Sequence, residues 1–188
     1  AEASGIHEIF VYTPEHDASK HPVTDDDAAD MMLMLKRRLL EHGATNHIRY
    51  TQAIINHGRE AGASLAHPHG QLLGLPFVPG EIVEEERAFT RFEGGCILCA
   101  TIEAELVEGK RVLWATDDVV CISPFWAGTP YELLIIPRSY DLHLTDSNEE
   151  TLRGMGIALR DAVVALREVH GDVAYNIVFH TAPHHYNG

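Results

Sequence analysis

The sequence predicts an α+β fold made of two related modules, and three observations predict it. Two capped segments carrying apolar stripes read as long helices, one from Asp25 to about His42 and one ending near His170. Short β-branched and aromatic runs flank each of them and read as strands. The two sets also share one offset: Glu8 to Glu132 and Asn56 to His180 are both 124 residues apart. That period is too long for a solenoid and fits two copies of one strand-helix-strand unit.

Each element has a local cause. His7 to Thr13 is a strand closed by Pro14. Thr24 caps the first helix, with Asp25, Asp26 and Asp27 on its opening turn, where the helix dipole favours acid. Met31, Leu35 and Leu39 form its buried stripe, and Gly43 stops it. Ile48 to Asn56 is a second strand, followed by an irregular glycine-rich segment around His67-Pro68-His69. Glu81 to Arg91 is helical, and Gly94-Gly95 is the best boundary in the chain. Beyond it, Gly95 to Ser123 supplies strands, Tyr131 to Ile136 repeats the first strand, and Ser147 with Glu150 forms a capping box for the second long helix. Tyr175 to His180 is the last strand. The expected domains are therefore residues 1–93 and 94–188. The offset also places a counterpart of the His-x-His motif near position 191 and strands before Ala1, so each module is expected to lack a piece.

Composition narrows the function. The 188 residues carry 14 Lys and Arg against 28 Asp and Glu, a net charge of −14 with the 13 His neutral. So acidic a chain, with no basic stripe, argues against nucleic acid and anionic membrane as partners. At 45% apolar it builds a core, yet no apolar run approaches the ~20 residues that span a bilayer. Cys96-x-x-Cys99 in a three-cysteine chain suggests a reduced, cytoplasmic protein with either a metal site or free thiols. Cys121, inside an apolar run, reads as a small buried hydrophobe.

Chemistry concentrates between Asn56 and Gln71, in Asn56-His57-Gly58-Arg59-Glu60-Ala61-Gly62-Ala63-Ser64-Leu65-Ala66-His67-Pro68-His69-Gly70-Gln71. Two histidines at i and i+2 in an extended segment point to opposite faces, so they serve different ends. Pro68 holds His67 out of the helical region and fixes the separation of the rings. An isolated His-x-His is most often a surface pair, but here Asn56, Gly62, Ser64 and Gln71 surround it. His69, flanked by Gly70, is expected to be open, and a neutral imidazole is a competent nucleophile toward phosphorus.

This constellation, with Pro79, Glu84 to Glu86, CILC, PYELLIIPRSY and HTAP, resembles the galactose-1-phosphate uridylyltransferase family of the histidine triad superfamily. The resemblance covers essentially all of this chain and about half of a complete family member. It implies a histidine-triad-like α+β fold, in which each module has an antiparallel sheet with a long helix on one face. It implies that His69 becomes covalently nucleotidylated, that Gln71 holds the phosphoryl oxygens, and that Asn56, Gly62 and Ser64 contact substrate phosphates. The implied reaction moves UMP between UDP-glucose and galactose 1-phosphate in a ping-pong manner. An adenylyl-sugar phosphorylase keeps the same chemistry with another base and acceptor. A non-catalytic fragment needing a partner chain is the alternative of another class.

The resemblance also implies metal. His16 and His67 are half of a structural zinc site whose Cys pair lies before Ala1. Cys96 and Cys99 match the second module's pair, at a spacing suited to tetrahedral zinc. Tyr140 stands where relatives have His, and His143 is the nearest substitute. Members without the Cys pair use residues at the positions of Glu85 and His180 for a second metal, zinc or iron. His184-His185 could be ligands, but a His pair near the end of the sequence is more often solvated. The unfinished modules imply a homodimer or a complementary chain that supplies strands.

Overall fold

The computed structural model describes residues 4–16 and 23–186. The elements in chain order are β1 (Ile6–Val11), α1 (Asp25–Gly43), β2 (Tyr50–His57), β3 (His69–Leu75), α2 (Gly80–Arg91) and α3 (Ile97–Glu108). They continue through β4 (Val112–Ala115), β5 (Val119–Ile122), β6 (Leu134–Pro137), α4 (Glu149–His170) and β7 (Tyr175–Phe179). Two antiparallel sheets result: one of four strands, ordered β1-β3-β2-β7, and one of three, ordered β4-β5-β6. The fold is α+β, with helices packed on antiparallel sheets, as expected.

The long helices begin where their caps dictate. Thr24 accepts from the Asp27 amide at 3.1 Å while Asp27 accepts from the Thr24 amide at 3.2 Å, a reciprocal capping box. At α4 the expected box does not form, and a one-sided cap stands one residue further on. Asn148, not Ser147, is the N-cap, its Oδ1 accepting from the Thr151 amide at 2.9 Å. Ser147 is buried, and its carbonyl accepts from Lys36 Nζ at 2.7 Å. α1 and α4 start 124 residues apart, keeping the offset of the strands.

One face of the four-stranded sheet carries the core. Phe10, Ala53, Ile55 and Leu72 pack against Met31, Met32, Leu35 and Leu39 of α1 and Leu152 of α4. A second cluster, Ile102, Val120, Ile122 and Ile136, joins α3 to the three-stranded sheet. Cys121 of β5 is fully buried, as expected of a small hydrophobe. β7 pairs with β2, so the first sheet draws strands from both sides of Gly94-Gly95. In that ladder Ile54 faces Val178, its own counterpart at the 124-residue offset, which makes the pairing symmetric about this pair.

Three expectations are corrected. The segment after Pro68 is not irregular: His69 opens β3, which lies between β1 and β2. The start of the stretch assigned to strands is α3, with Cys96 as its N-cap. β6 begins at Leu134, because Tyr131 sits at φ 62°, outside the strand region. Among the described residues no helix is long and apolar enough to cross a membrane.

Candidate active site on the outer face of the sheet

Strand alternation decides which side chains meet. On β3, Gly70, Leu72 and Gly74 turn inward, so His69, Gln71 and Leu73 share the outer face. Gly70 is required there: a Cβ would stand 2.2 Å from Phe10 Cζ and 2.8 Å from the Ile54 carbonyl oxygen. On β1 the outer row is His7, Ile9 and Val11, and the register sets Val11 beside His69 and Ile9 beside Gln71. On the other side Ile54 pairs with Gln71, and the next outward residue of β2, Asn56, falls on the row of His69. Asn56 is paired in turn with Asn176 of β7. Three residues of the motif, Asn56, His69 and Gln71, therefore stand as neighbours on one surface.

His69 is held by one nitrogen. Its Nδ1 lies 2.9 Å from the carbonyl oxygen of His67, to which it donates as Nδ1–H. That bond leaves the lone pair on Nε2. The expectation of an open ring is corrected: His69 is only 6% exposed. The residue lines neither of two cavities found among the described residues. One, of about 400 Å³, lies at the β1–β3 end around His7 and Phe77. The other, of about 290 Å³, lies between α1, α4 and the inner sheet face around Tyr12, Arg160 and Tyr175.

The two carboxamides beside His69 are anchored by partners that sequence motifs do not reveal. His7 Nε2 is 3.0 Å from Gln71 Oε1. Asn176 Nδ2 donates to Asn56 Oδ1 at 2.7 Å and to the Ala61 carbonyl at 2.9 Å. Ala61 closes a 3-10 turn, Arg59–Ala61, that ends at Gly62 with φ 85°, and Ser64 is exposed beyond it. Neither His7 nor Asn176 belongs to a recognisable motif. Only the strand register brings them in.

The candidate metal ligands fall into separate pairs. His16 and His67 meet with Nδ1 atoms 2.9 Å apart, and His67 Nε2 lies 3.0 Å from the Thr13 carbonyl. Donation to that carbonyl leaves Nδ1 of His67 unprotonated, the tautomer a metal requires, so this pair fits as half of a zinc site. Glu85 of α2 contacts His180 Nδ1 at 3.0 Å, and this carboxylate raises the pKa of His180 above its ordinary value. Cys96 Sγ accepts from the Cys99 amide at 3.4 Å, and the Cys96 contact raises the Cys99 thiol pKa. Two sulfurs on one helical turn are compatible with zinc, but His143 does not join them. Its Nε2 lies 2.8 Å from the Tyr186 carbonyl, to which it can donate. Among the described residues no three His, Cys, Asp or Glu side chains form a group that could hold a metal.

His184 is not a solvated terminal residue. Its Nε2 lies 2.8 Å from Thr51 Oγ1, which is also 3.0 Å from Nδ1 of the buried His42. Burial, with His42, His185 and His143 nearby, pushes its pKa down to about 4.

Residues 1–79 match the family model for the galactose-1-phosphate uridyl transferase N-terminal domain. The chain is similar to ADP-glucose phosphorylase of Arabidopsis thaliana, at 26% identity over 95% of this chain and 50% of that protein. It is similar also to galactose-1-phosphate uridylyltransferase of Haemophilus influenzae, at 25% identity over 100% of this chain and 54% of that one. Among solved structures, a uridylyltransferase superposes with TM-score 0.86 at 28% identity, over 94% of this chain and 57% of that one. The Arabidopsis ADP-glucose phosphorylase with bound ADP-glucose superposes with TM-score 0.85 at 25% identity, over 97% and 59%. The chain spans about half the length of the curated relatives it matches. The family likeness thus lies in the first 79 residues, and along nearly its whole length the chain shares its fold with these solved structures.

Proposed function

We propose that this chain carries the nucleophile half of a nucleotidyltransferase that works through a nucleotidyl-His69 intermediate. The observation that carries the reading is the His69 ring itself: Nδ1–H is committed to the His67 carbonyl, and Asn56 and Gln71 flank the residue on the outer face. In the reading, UDP-glucose enters over that face. His69 Nε2 attacks the α-phosphorus, a P–N bond forms, the bond to the bridging oxygen breaks, and glucose 1-phosphate leaves. A phosphate oxygen of galactose 1-phosphate then attacks the same phosphorus, the P–N bond breaks, and UDP-galactose departs with the imidazole restored. The His67 carbonyl steadies positive charge on the ring during both steps. Amide donors on Gln71 and Asn56 meet the charge that grows on the non-bridging oxygens. Gln71, which is no proton shuttle, favours transfer over loss to water.

ADP-glucose as donor is the second reading, favoured by the likeness to ADP-glucose phosphorylase. Both share the intermediate, so one experiment covers both. Incubating the protein with UDP-glucose or ADP-glucose labelled in the nucleotide should leave label on His69 from one donor. His69→Gly should lower labelling by at least about 10³-fold, since no other group replaces the nucleophile. Full labelling of His69→Gly would remove the mechanism.

Metal belongs to the same proposal. His16 and His67 would hold a structural zinc with two further ligands, and the ion would tie the turn after β1 to the nucleophile strand. Glu85 with His180, and Cys96 with Cys99, are candidates for a second metal. A second copy, or a complementary chain pairing on the free edge of β1 or β7, would extend the sheet.

A further inference from the structure

We propose that Asn176 is a positioning residue for transfer at His69: it fixes the side-chain amide of Asn56 so that the NH2 group, not the oxygen, faces the nucleophile. The inference rests on the proposed function and deepens it, because Asn176 lies on β7, in the half of the chain that lacks the nucleophile motif.

The chemistry of the contacts fixes the orientation. Asn176 Nδ2 touches two oxygens, the Ala61 carbonyl at 2.9 Å and Asn56 Oδ1 at 2.7 Å. The Ala61 carbonyl can only accept, so the Asn176 atom facing it must be the nitrogen. Both N–H bonds of that nitrogen are then spent, and the Asn56 atom facing it must be the oxygen. β2 has β7 on one side and β3 on the other. With Oδ1 drawn toward β7, the planar amide turns its NH2 toward β3, where His69 stands on the same row. Among the described residues that nitrogen has no hydrogen-bond partner. A donor held toward the reacting centre and unspent in the resting protein is what a phosphoryl oxygen gaining charge requires. The bond to Ala61 also pins the turn that leads into the nucleophile strand.

Asn176→Ala and Asn176→Asp separate this role from a structural one. Alanine removes the anchor, and Asn56 then samples both orientations. Aspartate cannot donate; it accepts from the Asn56 NH2 and turns the amide round, presenting oxygen to the phosphoryl. The rate of His69 labelling by the effective sugar nucleotide should fall about 10-fold in Asn176→Ala and at least about 100-fold in Asn176→Asp, with KM altered less than about threefold. A purely structural residue would rank the variants by thermal stability and move KM with kcat, which would overturn the inference. A second readout does not depend on turnover. Inorganic pyrophosphate should shift the Asn56 side-chain NH2 resonances of the wild type and leave them in place in Asn176→Asp. Unshifted wild-type resonances would overturn the inference even if His69 is labelled. A wild type that shifts but is never labelled would instead remove the proposed function.

Discussion

A histidine can serve as nucleophile only if one nitrogen keeps its lone pair, and at His69 the neighbouring backbone enforces that by engaging Nδ1. The motif announces His69, Asn56 and Gln71, because their types and spacing suit phosphoryl chemistry. It could not announce His7 or Asn176, since each is singled out only by lying across a strand from a motif residue. His184 departs from its sequence reading for a related reason: position along a sequence says nothing of what lies above a residue in space. Its burial yields a pH prediction. The folded-state pKa of His184, about 4, is below the ordinary 6.5, so the folded protein binds fewer protons than the unfolded chain. The associated stability is full above pH 6.5 and is lost as pH falls from 6.5 toward 4. With allowance for the ring's partial exposure the loss is about 1–2 kcal/mol. His180 has the opposite sign: its contribution, raised by Glu85, is present below pH 6.5 and fades as pH rises through the raised value. Urea unfolding at pH 7 and pH 4.5 should show a smaller difference for His184→Gln than for the wild type; parallel losses would contradict this account.

Among the elements, the long helices were legible to within about a residue, because a cap, an acidic first turn and an apolar stripe agree in both; the stopping glycine holds at Gly171 of α4, whereas Gly43 is the last helical residue of α1 and Ala44 is its C-cap. β3 and α3 were not. Gly70 and Gly74 interrupt the alternation that would have marked β3, and both are there because neighbours crowd their inner faces: the Phe10 ring at Gly70, and His42 and Ile6 at Gly74. α3 is apolar nearly all round and lacks the stripe that separates a helix from a strand in sequence. The α1–α4 crossing depends on another close approach. A Cβ on Gly156 would lie 2.3 Å from the Ala28 carbonyl oxygen, a backbone atom that cannot swing away. Gly156→Ala should therefore destabilise by about 1–3 kcal/mol despite the better helix propensity of alanine. Asn148→Ala, which deletes the α4 cap, should cost about 1 kcal/mol. Denaturant midpoints measure both, and a stabilised Gly156→Ala would show that the helices do not pack as described.

For the molecule as a whole, the 124-residue offset read from sequence reappears in the starts of α1 and α4 and in the symmetric β2–β7 ladder. What the offset could not reveal is that this ladder crosses Gly94-Gly95, because pairing partners are set by which apolar faces must be covered together. α4 packs on α1 and also touches the three-stranded sheet. Unfolding followed by far-UV circular dichroism and by fluorescence of Trp114 and Trp126, on the three-stranded side, should therefore give one coincident transition. Two separated midpoints would mean that residues 1–93 and 94–188 melt independently. The functional account meets its most direct test in the mass of one peptide. After incubation of the full chain with UDP-glucose or ADP-glucose and quenching at alkaline pH, where phosphoramidates persist, the peptide containing His69 should gain one nucleotidyl group located on that residue. An unmodified His69 peptide with both donors, from protein that binds either of them, would contradict the account.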